Sequence, residues 1–209
     1  METQPAVRDR PSPQAAKSAA MRAAILQTAV ARLAAGGYHA TSIKKIAADG
    51  GFSIGAVQHH FPTKTRLMAA VVERALERAE RYVARWVERD RGRSGLSGLV
   101  ADSWGEQINS PWYLAMLEVL VAARTDTDLR RAIAPAIRTY FRESEARIAA
   151  LVERGLDPGR VHFLLTVSRC MLGGFLVQDA LAMPPAQIAG FVRRWGAFLD
   201  EELEAPRHG

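Results

Sequence analysis

Three breaks in the first third of the chain constrain its fold more than any other feature of the sequence. Gly36-Gly37, Gly50-Gly51 and Pro62 each interrupt a stretch whose apolar residues recur with helical spacing. Glycine pairs end helices readily, and proline cannot continue a helix because it lacks a backbone N–H. The breaks therefore predict three short helices and one long helix, over 22–35, 42–49, 53–61 and 64–90.

The rest of the chain also has a helical pattern, and no segment alternates apolar and polar residues as a strand does. Residues 91–98 are predicted to form a loop, and Pro135 is predicted to kink its helix. The sequence thus predicts an all-α protein of about nine helices, the last five near 99–109, 111–124, 127–154, 158–182 and 186–204.

The positive charge of the chain is concentrated at its N-terminal end. Residues 1–66 contain nine cations and three anions, whereas residues 67–209 contain 19 of each. A basic end on a neutral body favours a polyanion as partner, although a solvated basic face would give the same counts. We predict a flexible arm over 1–19, a basic three-helix unit over 20–66 and a larger helical body over 67–209.

Cysteine content and hydropathy indicate the cellular setting. Cys170 is the only cysteine, so no disulfide can form within the chain and a cytoplasmic protein is expected. No apolar run approaches the roughly 20 residues of a membrane-spanning helix, and the first residues lack the apolar core of a signal peptide. We therefore expect no membrane partner.

Residues 42–61 have the spacing of a helix-turn-helix. Ala47 is small enough for a close helix crossing, and Gly51 suits the tight turn four residues later. Thr41 or Ser42 can cap the first helix of the pair. Apolar residues that would hold the pair against the preceding helix are Ile46, Phe52, Val57 and Phe61.

The third helix is predicted to present a small, polar face to its surroundings. At about 100° per residue, Gly55, Gln58 and His59 point away from Val57 and His60. A helix in the DNA major groove needs small residues where its backbone approaches the DNA and polar tips where base edges lie. The predicted DNA contacts are Thr41, Ser42, Lys44, Ser53, Gly55, Ala56, Gln58, His59, Thr63 and Lys64.

The adjacent histidines also raise the possibility of a metal site. Neighbouring residues of a helix point about 100° apart, so His59 and His60 cannot chelate one ion well. The positions three and four residues later hold Pro62, Thr63 and Lys64, which are poor ligands. We therefore predict no metal and no other cofactor, and we expect His60 to be a packed core residue.

The first turn of the fourth helix carries positive charge. Thr63 can cap this helix, and Lys64 and Arg66 follow it, although cations oppose the dipole at a helix N-terminus. The arrangement makes sense if a phosphate lies there, because free backbone N–H groups and cations then act on it together. Exposed cations that are merely tolerated are the alternative.

These residues carry a resemblance to a known family. Residues 20–70 resemble the DNA-binding domain of the TetR family of bacterial transcription repressors, whose third helix reads roughly Ser-Lys-Gly-Thr-Leu-Tyr-x-His-Phe. This chain has Ser53, Gly55, Val57, His60, Phe61, Thr63 and Lys64 in the matching places. It departs at Ile54, Ala56 and Gln58, so the family's sequence preference does not carry over.

The resemblance implies that the body binds a small effector and forms a homodimer. Wide apolar stripes over 158–182 and 186–204 are suited to an interface, or they only close the core of one chain. The predicted interface residues are Leu172, Phe175, Phe191, Trp195 and Phe198. The predicted pocket for an apolar or aromatic effector is lined by Trp86, Trp104, Trp112, Tyr113, Met116, Phe141, Phe163 and Cys170, each of which could instead be plain core.

The sequence predicts a regulator rather than an enzyme. It contains no Gly-x-Ser-x-Gly, phosphate-cradling glycine loop or His-Glu-x-x-His motif. We therefore predict a homodimeric repressor that binds double-stranded operator DNA and releases it when an effector binds. The alternatives are a protein that coats DNA without sequence preference and an all-helical enzyme acting on an anionic substrate.

Overall fold

The computed structural model describes residues 12–90, 95–151, 158–179 and 182–204. Within these residues the regular structure consists of nine α-helices and one π-helical segment, so the prediction of an all-α protein is confirmed. The α-helices are α1 Pro13–Ala40, α2 Ile43–Gly50, α3 Ile54–His60, α4 Lys64–Asp90, α5 Gly95–Asp102, α6 Pro111–Ala122, α7 Thr127–Leu151, α8 Pro158–Asp179 and α9 Pro185–Glu204, and the π-helical segment is Ser103–Ile108.

The first helix is longer at both ends than its apolar pattern predicts. It begins at Pro13, where the Ser12 hydroxyl accepts a hydrogen bond from a first-turn backbone N–H. Part of the expected arm, residues 13–19, is therefore helical, while residues 1–11 lie outside the described part of the chain. Gly37 interrupts the helix as predicted, with φ 74° and ψ 177°, a conformation essentially restricted to glycine. One further turn then runs to Ala40.

The region around residue 100 differs most from its predicted pattern. The expected loop over 91–98 overlaps α5, which begins at Gly95, and residues 91–94 lie outside the described segments. The single helix expected over 99–109 is divided between the end of α5 and the π-helical segment. Small residues and glycines in this stretch suggested a loop, but Leu96, Leu99 and Val100 are buried and hold it as a helix.

Two hydrophobic cores lie one after the other along the molecule. The first core contains residues of α1, α2, α3, the first half of α4, α6 and the start of α7. It therefore crosses the predicted boundary between residues 66 and 67, since α1 packs against α6 of the body. The fully buried side chains that the short helices contribute include Ile25, Val30, Leu33, Ile46 and Val57.

The second core lies entirely within the body. It joins the later part of α4 to α5, the π-helical segment, α8 and α9. Because Leu67, Met68, Val83 and Trp86 all belong to α4, this one helix is buried in both cores. A displacement of α4 is therefore felt at both ends of the molecule. No helix in the described segments has both the length and the apolar content needed to span a bilayer.

Candidate nucleic-acid interface and internal cavity

Two serine caps and a glycine turn fix the α2–α3 pair. The Ser42 hydroxyl accepts a hydrogen bond from the Lys45 N–H at 3.3 Å, and the Ser53 hydroxyl accepts one from the Ala56 N–H at 3.0 Å. Gly51 lies between the helices with φ 68° and ψ 24°, in the left-handed region that favours glycine. The chain between the helices is thus held in one conformation by local interactions.

Apolar contacts then set the rotation of α3 about its own axis. Val57 and Phe61 are 0% and 2% exposed, and both belong to the first core. The Arg22 guanidinium lies over the Phe61 ring, 4.5 Å from its centroid. Since one side of α3 is fixed against the core, the opposite side must face outward.

The outward side of α3 carries the predicted small and polar residues. Gly55, Gln58 and His59 are exposed, as the helical wheel predicts, and Ile54 lies beside them with 46% of its surface exposed. A Cβ placed on Gly55 would have no atom within 4 Å. The internal packing of the chain therefore gives no reason for a glycine here, although glycine weakens a helix by up to about 1 kcal/mol relative to alanine.

The histidine pair has a different arrangement from the one expected. His60 is half-buried rather than packed in the core, and its ring meets the His59 ring edge-on with centroids 5.2 Å apart. The helical wheel placed His60 beside Val57, but α3 ends at His60, where the core no longer covers it fully. Within the described residues, no group of three or more His, Cys, Asp or Glu side chains could hold a metal ion.

Two of the predicted DNA contacts are turned inward. Thr41 is only 1% exposed, and its hydroxyl donates to the Gly37 carbonyl oxygen at 2.8 Å. The structure therefore contradicts a DNA contact by Thr41. Lys64 is half-buried, with its Nζ 2.8 Å from the Tyr38 carbonyl oxygen and 3.7 Å from the centroid of the Tyr38 ring. It caps the end of α1 instead of projecting outward as predicted.

Other cations remain available at the surface. Lys44 and Arg66 are exposed, and neither side chain makes a hydrogen bond or ion pair within the described part of the chain. Thr63, also exposed, caps α4 by accepting from the Arg66 N–H at 3.1 Å. Arg66 was not among the predicted contacts, although its place in a first turn marks it by the same physical argument as Lys64.

Tyr38 joins the end of α1 to the body. Its backbone N–H donates to Glu118 at 3.3 Å, and its hydroxyl donates to Asp126 at 3.5 Å. Burial, together with the neighbouring Asp126 charge, raises the pKa of Tyr38. Burial lowers the pKa of Lys64, with Asp126 partly opposing that change. The start of α4 and the end of α1 are thus connected to α6 and α7 through polar contacts.

A cavity of about 150 Å³ lies in the body beside α4. Three of the eight predicted pocket residues line it, namely Trp112, Tyr113 and Met116. The charged and polar part of the lining was not predicted from the sequence, because charges along a helix usually indicate a solvated face. The remaining lining residues are Ala75, Arg78, Ala79, Arg81, Tyr82, Arg85, Glu106, Gln107 and Ser110.

The other five predicted pocket residues have different places. Trp86 is 3% exposed inside the second core, and Trp104 packs edge-on against the Phe175 ring at 6.3 Å. The Phe141 ring lies under the Arg169 guanidinium at 3.8 Å. Phe163 and Cys170 are exposed, Phe163 by 61%, so neither lines a cavity within the described chain. For Phe163 and Cys170, sequence spacing could not separate these roles because α8 has apolar residues on more than one side.

The predicted interface residues also divide into two groups. Leu172 is 3% exposed and belongs to the second core. Its side chain is therefore not available to a partner, and its predicted place in the interface is wrong. Phe175 stacks on Phe191 with centroids 5.9 Å apart, and both are half-buried. Trp195 donates its indole N–H to Ser168 at 2.8 Å and stacks on Phe198, which is 40% exposed. The open apolar surface is therefore at Phe198 and on α8.

Comparison with known proteins shows which family the N-terminal helices are similar to. Residues 25–71 match the family model described as bacterial regulatory proteins, tetR family. The match covers the second half of α1, all of α2 and α3 and the start of α4. The comparison with curated proteins found no match.

Solved structures with the same fold cover nearly the whole chain. A putative TetR-family transcriptional regulator from Mesorhizobium loti superposes with a TM-score of 0.67 at 19% identity, covering 90% of this chain and 96% of that one. The fatty acid degradation regulator FadR from Bacillus halodurans gives 0.63 at 19% identity, covering 96% and 100%. The multidrug binding protein EbrR complexed with ethidium gives 0.56 at 24% identity, covering 84% and 98%. The body therefore has the same fold as these proteins.

Proposed function

We propose that this chain, which belongs to the TetR family of bacterial regulatory proteins, is a homodimeric repressor that a small molecule releases from its operator. The family match over residues 25–71 supports a DNA-binding transcriptional regulator. We further propose sequence specificity, repression, dimerisation, release by an effector and action in the cytoplasm. The proposal assigns no enzymatic activity to the chain.

The outward side of α3 is the observation that carries the proposal. Gly55 lets the helix backbone approach a partner closely, and Gln58 and His59 extend beyond it with exposed polar tips. In the major groove an amide such as that of Gln58 can pair with both N6 and N7 of adenine. Exposed Ile54 offers an apolar contact to the methyl group of thymine. These four residues form what we call the reading face.

The phosphate contacts are assigned to the surface beside the reading face. Lys44 and Arg66 are exposed cations with no internal partner within the described segments, and Thr63 stands at the N-terminus of α4. The backbone N–H groups of that first turn and the Arg66 charge can act on the same phosphate. Arg66 therefore takes the role that the sequence suggested for Lys64.

An exposed apolar stripe supports dimerisation through α8 and α9. Phe163, Cys170 and Val177 are exposed and lie seven residues apart, so they share one face of α8. Phe198 of α9 adds to this surface, with Phe175, Phe191 and Trp195 half-buried behind it. A dimer would place two reading faces about 34–36 Å apart if they enter successive major grooves.

Helix α4 supplies the route from an effector to the DNA. Its 27 residues span about 40 Å at 1.5 Å per residue, and about 28 Å of that length separates Arg66 at the DNA end from Arg85 at the cavity. A ligand that prefers one tilt of this helix changes the spacing of the two reading faces, and only its different affinity for the two tilts is required. The capture of ethidium by the structurally similar EbrR supports an aromatic ligand in such a body.

Selection of DNA sequences tests the proposal against its rivals. Random duplexes are enriched on the full chain, and the recovered sequence is compared with a scrambled duplex in a gel shift with excess competitor DNA. A repressor retains only the selected duplex, a coating protein retains both equally, and an enzyme with an anionic substrate retains neither. A palindromic selected site supports the dimer as well.

A further inference from the structure

Helix α4 has two faces of opposite charge within the body. Arg78, Arg81 and Arg85 line the cavity between α4 and α6, at helical spacings that keep them on one side. The groove on its other side, against α7, is lined instead by Glu73, Glu77, Glu80 and Glu143. The cavity itself contains one carboxylate, Glu106, against three guanidinium groups, so its net charge is positive.

The internal partners of the three arginines leave much of their capacity unused. The Arg78 guanidinium lies over the Trp112 ring at 5.4 Å, a contact that leaves its N–H donors free. Arg81 is 3.8 Å from Glu77, which binds Arg74 more closely at 2.7 Å. Arg85 makes no ion pair or hydrogen bond with the described residues. The three arginines are exposed at the edge of the cavity, so their N–H donors are accessible to a carboxylate, which guanidinium groups can bind in a bidentate manner.

The N-terminus of α6 adds a second attraction for an anion. Ser110, Trp112 and Tyr113 line the cavity, and they form the cap and first turn of this 12-residue helix. The first turn contains no acidic residue, so no side chain of the helix itself balances the partial positive charge there. The arginines of α4 and the start of α6 therefore present positive charge to the same space from two elements.

The remaining walls and the size of the cavity limit what can enter. Trp112, Tyr113 and Met116 supply apolar and aromatic surface, and Ala75 and Ala79 leave room opposite them. A cavity of about 150 Å³ matches a size that is known to hold one benzene ring. The walls therefore suit one flat ring rather than a large polycyclic molecule.

Tyr82 supplies one more donor to this environment. It lines the cavity and is 6% exposed. Burial raises its pKa to about 12; the Ser103 side chain opposes this rise, and the charges of Asp102 and Glu106 add to it. The hydroxyl therefore stays protonated at neutral pH and can donate to a bound anion.

We propose that this cavity binds a single-ring aromatic carboxylate, with the ring between Trp112 and Met116 and the carboxylate held by Arg78 and Arg85. The inference rests on the proposed function, because the bound anion is the effector that the function requires. It replaces the apolar or aromatic effector of the sequence analysis with one that carries negative charge.

Calorimetric titration of the full chain with three matched probes tests the inference. Benzoate, benzamidine and benzyl alcohol have the same ring but carry a negative, a positive and no charge. Benzoate is expected to bind, and the other two are expected to bind at least tenfold more weakly. Arg85→Gln and Arg78→Gln should each weaken benzoate binding about tenfold, since each removes a charged hydrogen bond. Arg74→Gln is the control, because Arg74 is on the same helix, is exposed and lies outside the cavity lining.

Each outcome decides the inference. Selective binding of benzoate that depends on Arg78 and Arg85 but not on Arg74 supports it. Equal binding of the three probes overturns it, and so does the absence of binding by any of them. It is also overturned if the Arg78, Arg85 and Arg74 variants all bind benzoate with the same affinity. A gel shift with the selected duplex then separates the two proposals. If benzoate binds as described but leaves DNA affinity unchanged, the anion site stands and release by an effector fails; if benzoate does not bind but the selected duplex does, the regulator stands without this site.

Discussion

Helix α3, at one end of α4, and helix α8, in the body, differ in how well sequence spacing predicts which residues are exposed. At the DNA end, α3 has seven residues and one buried side, so every residue that faces away from Val57 is available to a partner. In the body, α8 has 22 residues and contacts neighbours on several sides. Its aromatic and sulfur-containing residues are divided between a core and an open stripe. In a short helix with one buried side, spacing therefore predicts which residues can contact a partner. In a long helix with several apolar sides, spacing does not distinguish core residues from exposed ones.

The largest expected effect is on stability, and it distinguishes the buried side of the α3 region from its outward side. Phe61→Ala should lower the free energy of unfolding by about 3–5 kcal/mol, because it removes a side chain that is 2% exposed and leaves a cavity. Ile54→Ala should change stability by less than about 0.5 kcal/mol, since Ile54 is 46% exposed. Chemical denaturation monitors both. Equal losses of stability in the two variants would mean that α3 is rotated from the position described.

A charge placed on the exposed apolar stripe of α8 and α9 tests the proposed dimer interface of the body. Phe198→Asp should destabilise the dimer by about 2–4 kcal/mol, because a carboxylate would be buried without a partner. Sedimentation should show folded monomers, with the helical circular dichroism of the parent retained. Phe198→Leu is the control and should remain dimeric. Dimers of unchanged affinity in the aspartate variant would place the interface elsewhere.

The junction between the two ends gives an intermediate effect. Gly37→Ala should cost about 1–3 kcal/mol, since φ is 74° and the new Cβ would lie 2.9 Å from a Glu118 carboxylate oxygen. Gly36→Ala, one residue earlier, should be neutral or stabilise by up to about 1 kcal/mol, because its Cβ would make only an ordinary contact with Ala40. Thermal unfolding of the pair distinguishes these expectations. A destabilised Gly36 variant beside an unaffected Gly37 variant would contradict the kink.

The smallest expected effect concerns the two cations at the start of α4. Arg66→Ala should reduce the slope of log affinity against log salt by about one unit and weaken binding to all duplexes alike. Lys64→Ala should leave that slope nearly unchanged and act on stability instead, because its ammonium caps the end of α1. Anisotropy titrations over a range of salt concentrations measure both slopes. The opposite pattern would return the phosphate contact to Lys64.

The fold was predictable from the sequence where local signals decide it. Glycine pairs, serine caps and proline set the bounds of α2, α3, α4 and α6, and the core positions of Val57 and Phe61 followed from helical spacing. The helical state of residues 13–19 was missed because that stretch has no apolar stripe. Residues 95–98 were missed because their burial depends on α9, which lies about a hundred positions later.

The candidate site was predictable only on its outward side. Gly55, Gln58 and His59 are exposed because no part of the described chain covers them, which spacing alone can indicate. The inward placement of Thr41 and Lys64 depends on Gly37 and Tyr38, whose positions follow from the packing of α1 on α6. The arginines of the cavity were missed for the same reason, since their surroundings are created by α6 rather than by α4.

The central claim is that the reading face on α3 recognises a particular DNA sequence. The direct measurement is the affinity of the parent protein and of Gln58→Ala for every single-base variant of the selected duplex. We expect the parent to lose about 1–3 kcal/mol at each contacted base pair, and Gln58→Ala to lose that discrimination at one or two positions while keeping it at the others. Overlapping profiles for the parent and Gln58→Ala, or a parent that binds all the duplexes equally, would contradict the claim.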